Sequence, residues 1–153
     1  MRTGVRIGVD VGKARIGVAR SDPHGMLALP VATVPRGDGD IAAILGHAAE
    51  FEATEIIVGL PLSLGGGDTP STGDARAFGA LIAERAPLTP VRLVDERLST
   101  VSAQNALRAT GRTVKNSRQI IDQVAAVIIL QHALDYERSS GKAPGTIIVP
   151  AGG

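Results

Sequence analysis

The sequence predicts an α/β domain built on a mixed central sheet, and three of its features carry that prediction. The first is an alternating, β-branched opening, Val5-Arg6-Ile7-Gly8-Val9-Asp10-Val11, which turns at Gly12-Lys13 and returns as Ile16-Gly17-Val18-Ala19. The second is Glu55-Ile56-Ile57-Val58-Gly59-Leu60, a nearly continuous apolar run stopped by Pro61, as a strand buried on both faces requires. The third is the alternation of strand and helix patterns around and after that run. Hairpin strands followed by strand and helix in turn give a sheet that is antiparallel at its start and parallel beyond.

The remaining elements follow in order. Leu27 to Val34 supplies a third strand, and Pro30 confines its regular pairing to Val31 to Val34. After the polar break from Pro35 to Asp40, Ile41, Ile44, Leu45, Ala48 and Ala49 recur at helical spacing. Leu64 to Pro70, with Gly65, Gly66 and Gly67, reads as a flexible loop, and Ser71 with Asp74 resembles a capping box that opens a helix through Arg85. Val91 to Val94 forms the next strand. Ser99 or Thr100 caps a helix to about Ala109, which Thr110 to Thr113 ends. Ile120 to about Tyr136 is the last helix, with Ile121, Val124, Ala125, Ile128 and Ile129 on a wide apolar face. One domain is expected over residues 1–138, with a flexible tail, rich in Gly, Pro and Ser, over 139–153.

Composition bounds the function. A chain of 153 residues buries roughly two-thirds of its unfolded surface, so it needs neither a disulfide nor a structural metal to fold. Hydrophobic residues are 44% and aromatics 2%, so the core is aliphatic. The absence of Cys excludes disulfides and thiolate metal sites. The start of the chain lacks the apolar stretch of a signal peptide and no segment is apolar enough to span a membrane, so a soluble cytoplasmic protein is expected. A net charge of +1 gives no global attraction to polyanions, and any nucleic-acid contact must rest on local patches.

Three acidic positions stand where strands end or helices begin. Asp10 interrupts an apolar first strand, where a carboxylate either serves a site or bonds to turn amides. Asp95-Glu96-Arg97 follows the strand from Val91, at the carboxyl end where open α/β sheets place their ligands. Adjacent acids on a strand point to opposite faces, so one of Asp95 and Glu96 faces the site, and a salt bridge to Arg97 suits the other. Asp122 opens the last helix, where an acid also complements the helix dipole. Three carboxylates on separate elements, with no ligating His or Cys beside them, suit hard cations such as Mg2+ or Mn2+. A pair of such ions supports in-line displacement at a phosphate without a side-chain nucleophile.

Basic residues near these acids are candidate phosphate contacts: Lys13 and Arg15 in the first turn, Arg97, and Lys115 and Arg118 before the last helix. Solvated charge is the plain alternative for each. His24, His47 and His132 share no ligand spacing and read as surface or packing residues. Gly8 to Lys13 approaches a phosphate-binding P-loop but is one residue short, and Ala14 stands where Ser or Thr is required.

Val9-Asp10-Val11-Gly12 with Lys13 to Ala19, then Ile56 to Leu62, then Asp95-Glu96-Arg97-Leu98-Ser99-Thr100, then Asp122 with Ala125 to Leu130, resemble the successive motifs of the YqgF (RuvX) family. The resemblance runs to about Glu137, and the ordered set is specific although each motif alone is not. It implies an RNase H-like fold related to RuvC and a cytoplasmic nuclease, a phosphodiester hydrolase, that matures the 5′ end of 16S rRNA in ribosome biogenesis. Resolution of Holliday junctions in DNA recombination is the older assignment for the family. Carried over by position, the resemblance puts catalysis and metal binding on Asp10, Glu96 and Asp122, with Asp95 as partner or substitute for Glu96. Two Mg2+ or Mn2+ ions are then expected with substrate bound. RNase H-like nucleases often carry a further acid in the last helix, and the residue one turn after Asp122 is Ala126. Expected partners are rRNA precursor or branched DNA and ribosome-associated proteins, with monomer and homodimer both open and no membrane.

Two other classes compete. An Asp-x-Gly after a first strand also opens actin-like and sugar-kinase ATPases, but those duplicate the fold, and the length here holds one copy. A ribosome-assembly factor that binds nucleic acid without cutting it would keep the same fold. Phe51, Phe78 and Tyr136 are the only aromatics, so recognition by backbone and shape is expected rather than by base stacking.

Overall fold

The computed structural model describes residues 3–62, 65, 67–95 and 117–148, with the backbone alone for 117–122. The expected hairpin forms from β1 (Arg6–Val11) and β2 (Arg15–Ser21), and β3 (Ala28–Pro35) adds to it. After α1 (Asp40–Glu50) come β4 (Glu55–Leu60), α2 (Pro70–Arg85), β5 (Val91–Asp95), α3 (Ser117–Ser140) and β6 (Thr146–Ile147). The six strands form one sheet in the order β3-β2-β1-β4-β5-β6. Strands β1 to β3 are antiparallel, β4 and β5 run parallel to β1, and β6 is antiparallel to β5. This is the expected mixed α/β sheet.

The period of two along each strand divides the core. Ile7, Val9, Ile16, Val18, Ile56, Val58 and Val91 point to the face covered by α1 and α2, where they meet Ile41, Ile44, Phe78 and Ile82. On the opposite face Ala19 and Ile57 meet Ala126, Ile129, Leu130 and Ala133 of α3. Each fully buried branched side chain contributes about 1.5–3 kcal/mol. All six residues of β4 are buried, which is why its sequence reads as an apolar run without alternation. Small residues bring α3 close: a Cβ added at Gly8 would stand 2.7 Å from Leu130 Cβ and 3.1 Å from the Ala126 carbonyl.

The structure revises four expectations. Strand β3 pairs from Ala28 onward, since Pro30 lies on an edge strand and the register shift opposite Val18 and Ala19 absorbs the irregularity. Helix α2 opens earlier than Ser71: Thr69 is the N-cap, Thr69 and Thr72 form the reciprocal capping box, and Pro70 occupies the first turn, where its missing N–H costs nothing. Helix α3 extends beyond the Ile120 to Tyr136 span in both directions.

The fourth revision concerns the segment assigned to a flexible tail from Ser139. Ser139 and Ser140 complete α3, and Thr146 and Ile147 pair with Leu93 and Arg92. The Ile148 N–H donates to the Val91 carbonyl at 2.8 Å, and its side chain packs on the α2 face near Gly79. Gly145 makes the return possible, with φ of 63° and no room for a Cβ beside the Leu93 carbonyl. Residues 149–153 and the helix expected from Ser99 or Thr100 to Ala109 lie outside the described residues.

Candidate active site

Asp10 is the next-to-last residue of β1 and is half-buried. It shares parity with Gly8, whose missing side chain faces Leu130 and Ala126, so its Cβ lies on the α3 face. In the sheet Asp10 is opposite Gly17, which is opposite Thr33, so the three residues form one row. The Gln123 Nε2 of α3 donates to Thr33 Oγ1 at 3.0 Å. Helix position 122 therefore arrives at the level of the Asp10 row. The helix runs antiparallel to β1, because Glu137 meets Arg6 while Ala126 and Leu130 meet Gly8. Its N-terminal end is thus delivered to the Asp10 end of the sheet.

Asp95 closes β5 beside Leu60 of β4 and is exposed. Strand alternation puts its Cβ with those of Val91 and Leu93 on the α2 face, away from the Asp10 side. There it borders a cleft of about 340 Å3 with Leu62, Arg76 and Thr146. It also touches the rim of an apolar recess of about 430 Å3 between β5 and α3, lined by Val94, His132 and Tyr136. That larger recess lies along α3 away from the Asp10 row, and although His132, Asp135 and Tyr136 reach it most of its lining surface is apolar, so the acid-bearing end of the sheet is the better candidate site.

The other expected residues divide by what is described. Lys13 is exposed at the tip of the β1–β2 turn, and Arg15 is half-buried at the start of β2. Glu96, Arg97 and Lys115 lie outside the described residues, as do the side chains of Arg118 and Asp122. Among the described residues no three acidic, His or Cys side chains are grouped to hold a metal ion. That set contains Asp10 but neither Glu96 nor the Asp122 carboxylate.

Sequence reasoning missed a pair at the same end. The Arg36 guanidinium, at the close of β3, donates from both terminal nitrogens to the Asp74 carboxylate of α2, at 2.9 and 3.1 Å. Its Nη1 also donates to the Gly12 carbonyl at 2.8 Å, two residues beyond Asp10. The guanidinium carbon stands 5.0 Å over the Phe78 ring. Hydrogen bonding to Arg36 holds the Asp74 carboxyl below the usual carboxylate range, and the same bonds raise Arg36 further. No local signal announces this pair, whose members are 38 residues apart.

The aromatics are likewise committed. Phe51 lies under the Arg20 guanidinium at 4.7 Å and Phe78 is buried beneath Arg36, which leaves Tyr136 as the exposed ring.

The family model described as RuvX, Holliday junction resolvase, matches residues 4–136. A relative from Clavibacter michiganensis subsp. michiganensis, named "Putative pre-16S rRNA nuclease", is 58% identical over 97% of this chain and 93% of its own. A relative of the same name from Thermobifida fusca is 50% identical, covering 97% of this chain and 98% of its own. Among solved structures, T. thermophilus RuvC in complex with a Holliday junction substrate superposes with a TM-score of 0.60 at 16% identity, over 95% of this chain and 99% of that one. At that identity the likeness shows the fold, which is RNase H-like.

Proposed function

Because this chain belongs to the RuvX family, we propose that it is a metal-dependent endonuclease that matures the 5′ end of 16S rRNA in the cytoplasm. The observation that carries the site is the convergence of the half-buried Asp10 and helix position 122 at one end of the α3 face. Asp10, Glu96 and Asp122 are the proposed catalytic and metal-binding carboxylates. Between the two acids of the Asp-Glu-Arg motif, Glu96 is preferred, because the alternation of β5 turns Asp95 to the other face.

All-oxygen donors of this kind fit a hard divalent cation, Mg2+ or Mn2+, by their chemistry, with Asp10 as the described member of the set. Such ions, when bound, activate water and stabilise the leaving oxygen of an in-line displacement. The chain's own part is to carry Asp10 on a strand and position 122 on a helix, elements that hold geometry more exactly than loops. Lys13 at the tip of the β1–β2 turn and Arg15 at the start of β2 are proposed phosphate contacts, with Arg97, Lys115 and Arg118 as the others. With both Phe rings covered by arginines, recognition falls to backbone and shape. Among the described residues no helix is long and apolar enough to cross a membrane.

Cleavage of branched DNA is the second reading, favoured by the description of the family model. The test offers a 5′-extended 16S rRNA precursor and a four-way DNA junction to wild type and Asp10→Asn, with Mg2+ or Mn2+. Metal-dependent cutting of the precursor is expected, falling by roughly 10³-fold in the variant while the unfolding midpoint holds. A variant that cuts as fast as wild type sinks the assignment of Asp10. Wild-type protein that binds the precursor and cuts neither substrate replaces the nuclease with an assembly factor.

A further inference from the structure

The β1–β2 turn that follows Asp10 is held mainly from outside itself. The ladder between the two strands ends at Val11 and Ile16, and past it the Gly12 N–H donates to the Arg15 carbonyl at 2.9 Å. The turn is so tight that a Cβ at Gly12 would collide with that same carbonyl. Two of its other carbonyls, those of Gly12 and Ala14, accept from one residue. The Arg36 N–H donates to the Ala14 carbonyl at 2.9 Å, and the Arg36 side chain donates to the Gly12 carbonyl at 2.8 Å. The same guanidinium is fixed by its two bonds to Asp74 and by the Phe78 ring beneath it. Phe78 and Asp74 both stand on α2, so the turn is bolted through Arg36 to a helix whose face is part of the core.

We propose that Arg36, oriented by Asp74, is a positioning residue that sets the Asp10-bearing end of β1 and the tip that presents Lys13. This rests on the reading of Asp10 as a metal-binding carboxylate. The planar fork explains the choice of residue: it grips a carboxylate with two parallel N–H groups while one of them also reaches a carbonyl, and an ammonium cannot copy that arrangement. Supporting groups of this kind, one step behind a metal ligand, alter affinity or activity about 10- to 100-fold when removed. Misplacement of a reacting group by about 1 Å costs a comparable factor.

The experiment compares wild type with Arg36→Met, Arg36→Lys and Asp74→Asn in three readouts: Mn2+ affinity of the full chain without nucleic acid, kcat and KM for cleavage, and the unfolding midpoint. Arg36→Met is expected to weaken Mn2+ binding and lower kcat about 10- to 100-fold, with a smaller rise in KM from the displaced Lys13. Arg36→Lys recovers part of the loss, and Asp74→Asn, which keeps the Gly12 contact, loses less. If Arg36→Met binds Mn2+ and cuts like wild type, the proposal is overturned. It is equally overturned if every loss vanishes when the variants are compared at equal folded fraction, since the role is then stability alone. If wild type binds Mn2+ yet cuts nothing, the nuclease reading fails by itself, and the positioning role is decided by Mn2+ affinity: weaker in Arg36→Met upholds it, equal rejects it.

Discussion

The α3 face of the sheet treats charge in opposite ways at its two ends. At one end Arg6 of β1 donates to Glu137 of α3 at 3.0 Å, and both side chains are nearly inaccessible. Next to Arg6 in the register stands Glu55 of β4, which accepts from Arg92 of β5 at 2.8 Å. Carboxylates there are buried and matched to guanidinium groups. Four residues along the same strand, Asp10 is half-exposed and lies at the level where α3 delivers position 122. One strand thus carries a matched buried pair at its start and a candidate metal ligand near its end, with Gly8 between them. The difference teaches that burial alone does not mark the site. A buried ion pair joins the helix to the strand, whereas Asp10, the proposed metal ligand, keeps partial exposure to water.

The largest stability effect is therefore expected far from the chemistry. Arg6→Met removes a guanidinium bond from the buried Glu137 carboxylate, and loss of one partner of a buried pair costs about 3–5 kcal/mol. Urea unfolding checks this, with Glu137→Gln as the variant that keeps volume. Both should retain metal affinity at a temperature where they are folded. A loss under about 1 kcal/mol would place this pair with ordinary surface bridges and erase the contrast between the ends.

Gly8 probes the middle of the strand. Its substitution by Ala drives a methyl to 2.7 Å from Leu130 Cβ, so α3 must move off the sheet. Overpacking of this kind costs about 1–3 kcal/mol. Because Asp10 lies on β1 and Asp122 on α3, the same displacement should also weaken Mn2+ binding. Unfolding and Mn2+ titration of Gly8→Ala measure both, and a stable variant with unaltered affinity would show that helix and strand do not share the site.

What the sequence made legible depended on how local the signal was. The hairpin, β4 and the last helix could be read because their apolar spacing is fixed within a few residues. Asp10 stood out because an acid in an apolar strand requires an explanation. The α2 start was misread because Ser71 and Asp74 fit a capping pattern, while Pro70 had already fixed the helix start one step after Thr69. Asp74 is instead claimed by Arg36, and Arg6 by Glu137 across 131 positions, pairings that only the tertiary fold defines. Strand β6 has two residues and little pattern of its own; its place follows from Gly145 and from the open edge of β5. Register also bears on what composition left open, since the alternation of β5 puts the Asp95 Cβ on the face opposite that of Asp10.

The smallest effect should come from the half-buried pair at the Asp10 end. Asp74 is held below the usual carboxylate range by its bonds to Arg36, so it binds fewer protons folded than unfolded near acid pH. Its contribution is then fully present above the unfolded value of about 3.9 and is lost as the pH falls through the lower folded value. The two side chains are 25% and 38% exposed, so solvent screening limits the pair to under about 1 kcal/mol. Wild type should exceed Asp74→Asn by that margin in urea unfolding at pH 7, and the gap should close well below pH 4. A gap that persists into acid would mean that shape and hydrogen bonding, rather than the charge of Asp74, hold Arg36 over Phe78.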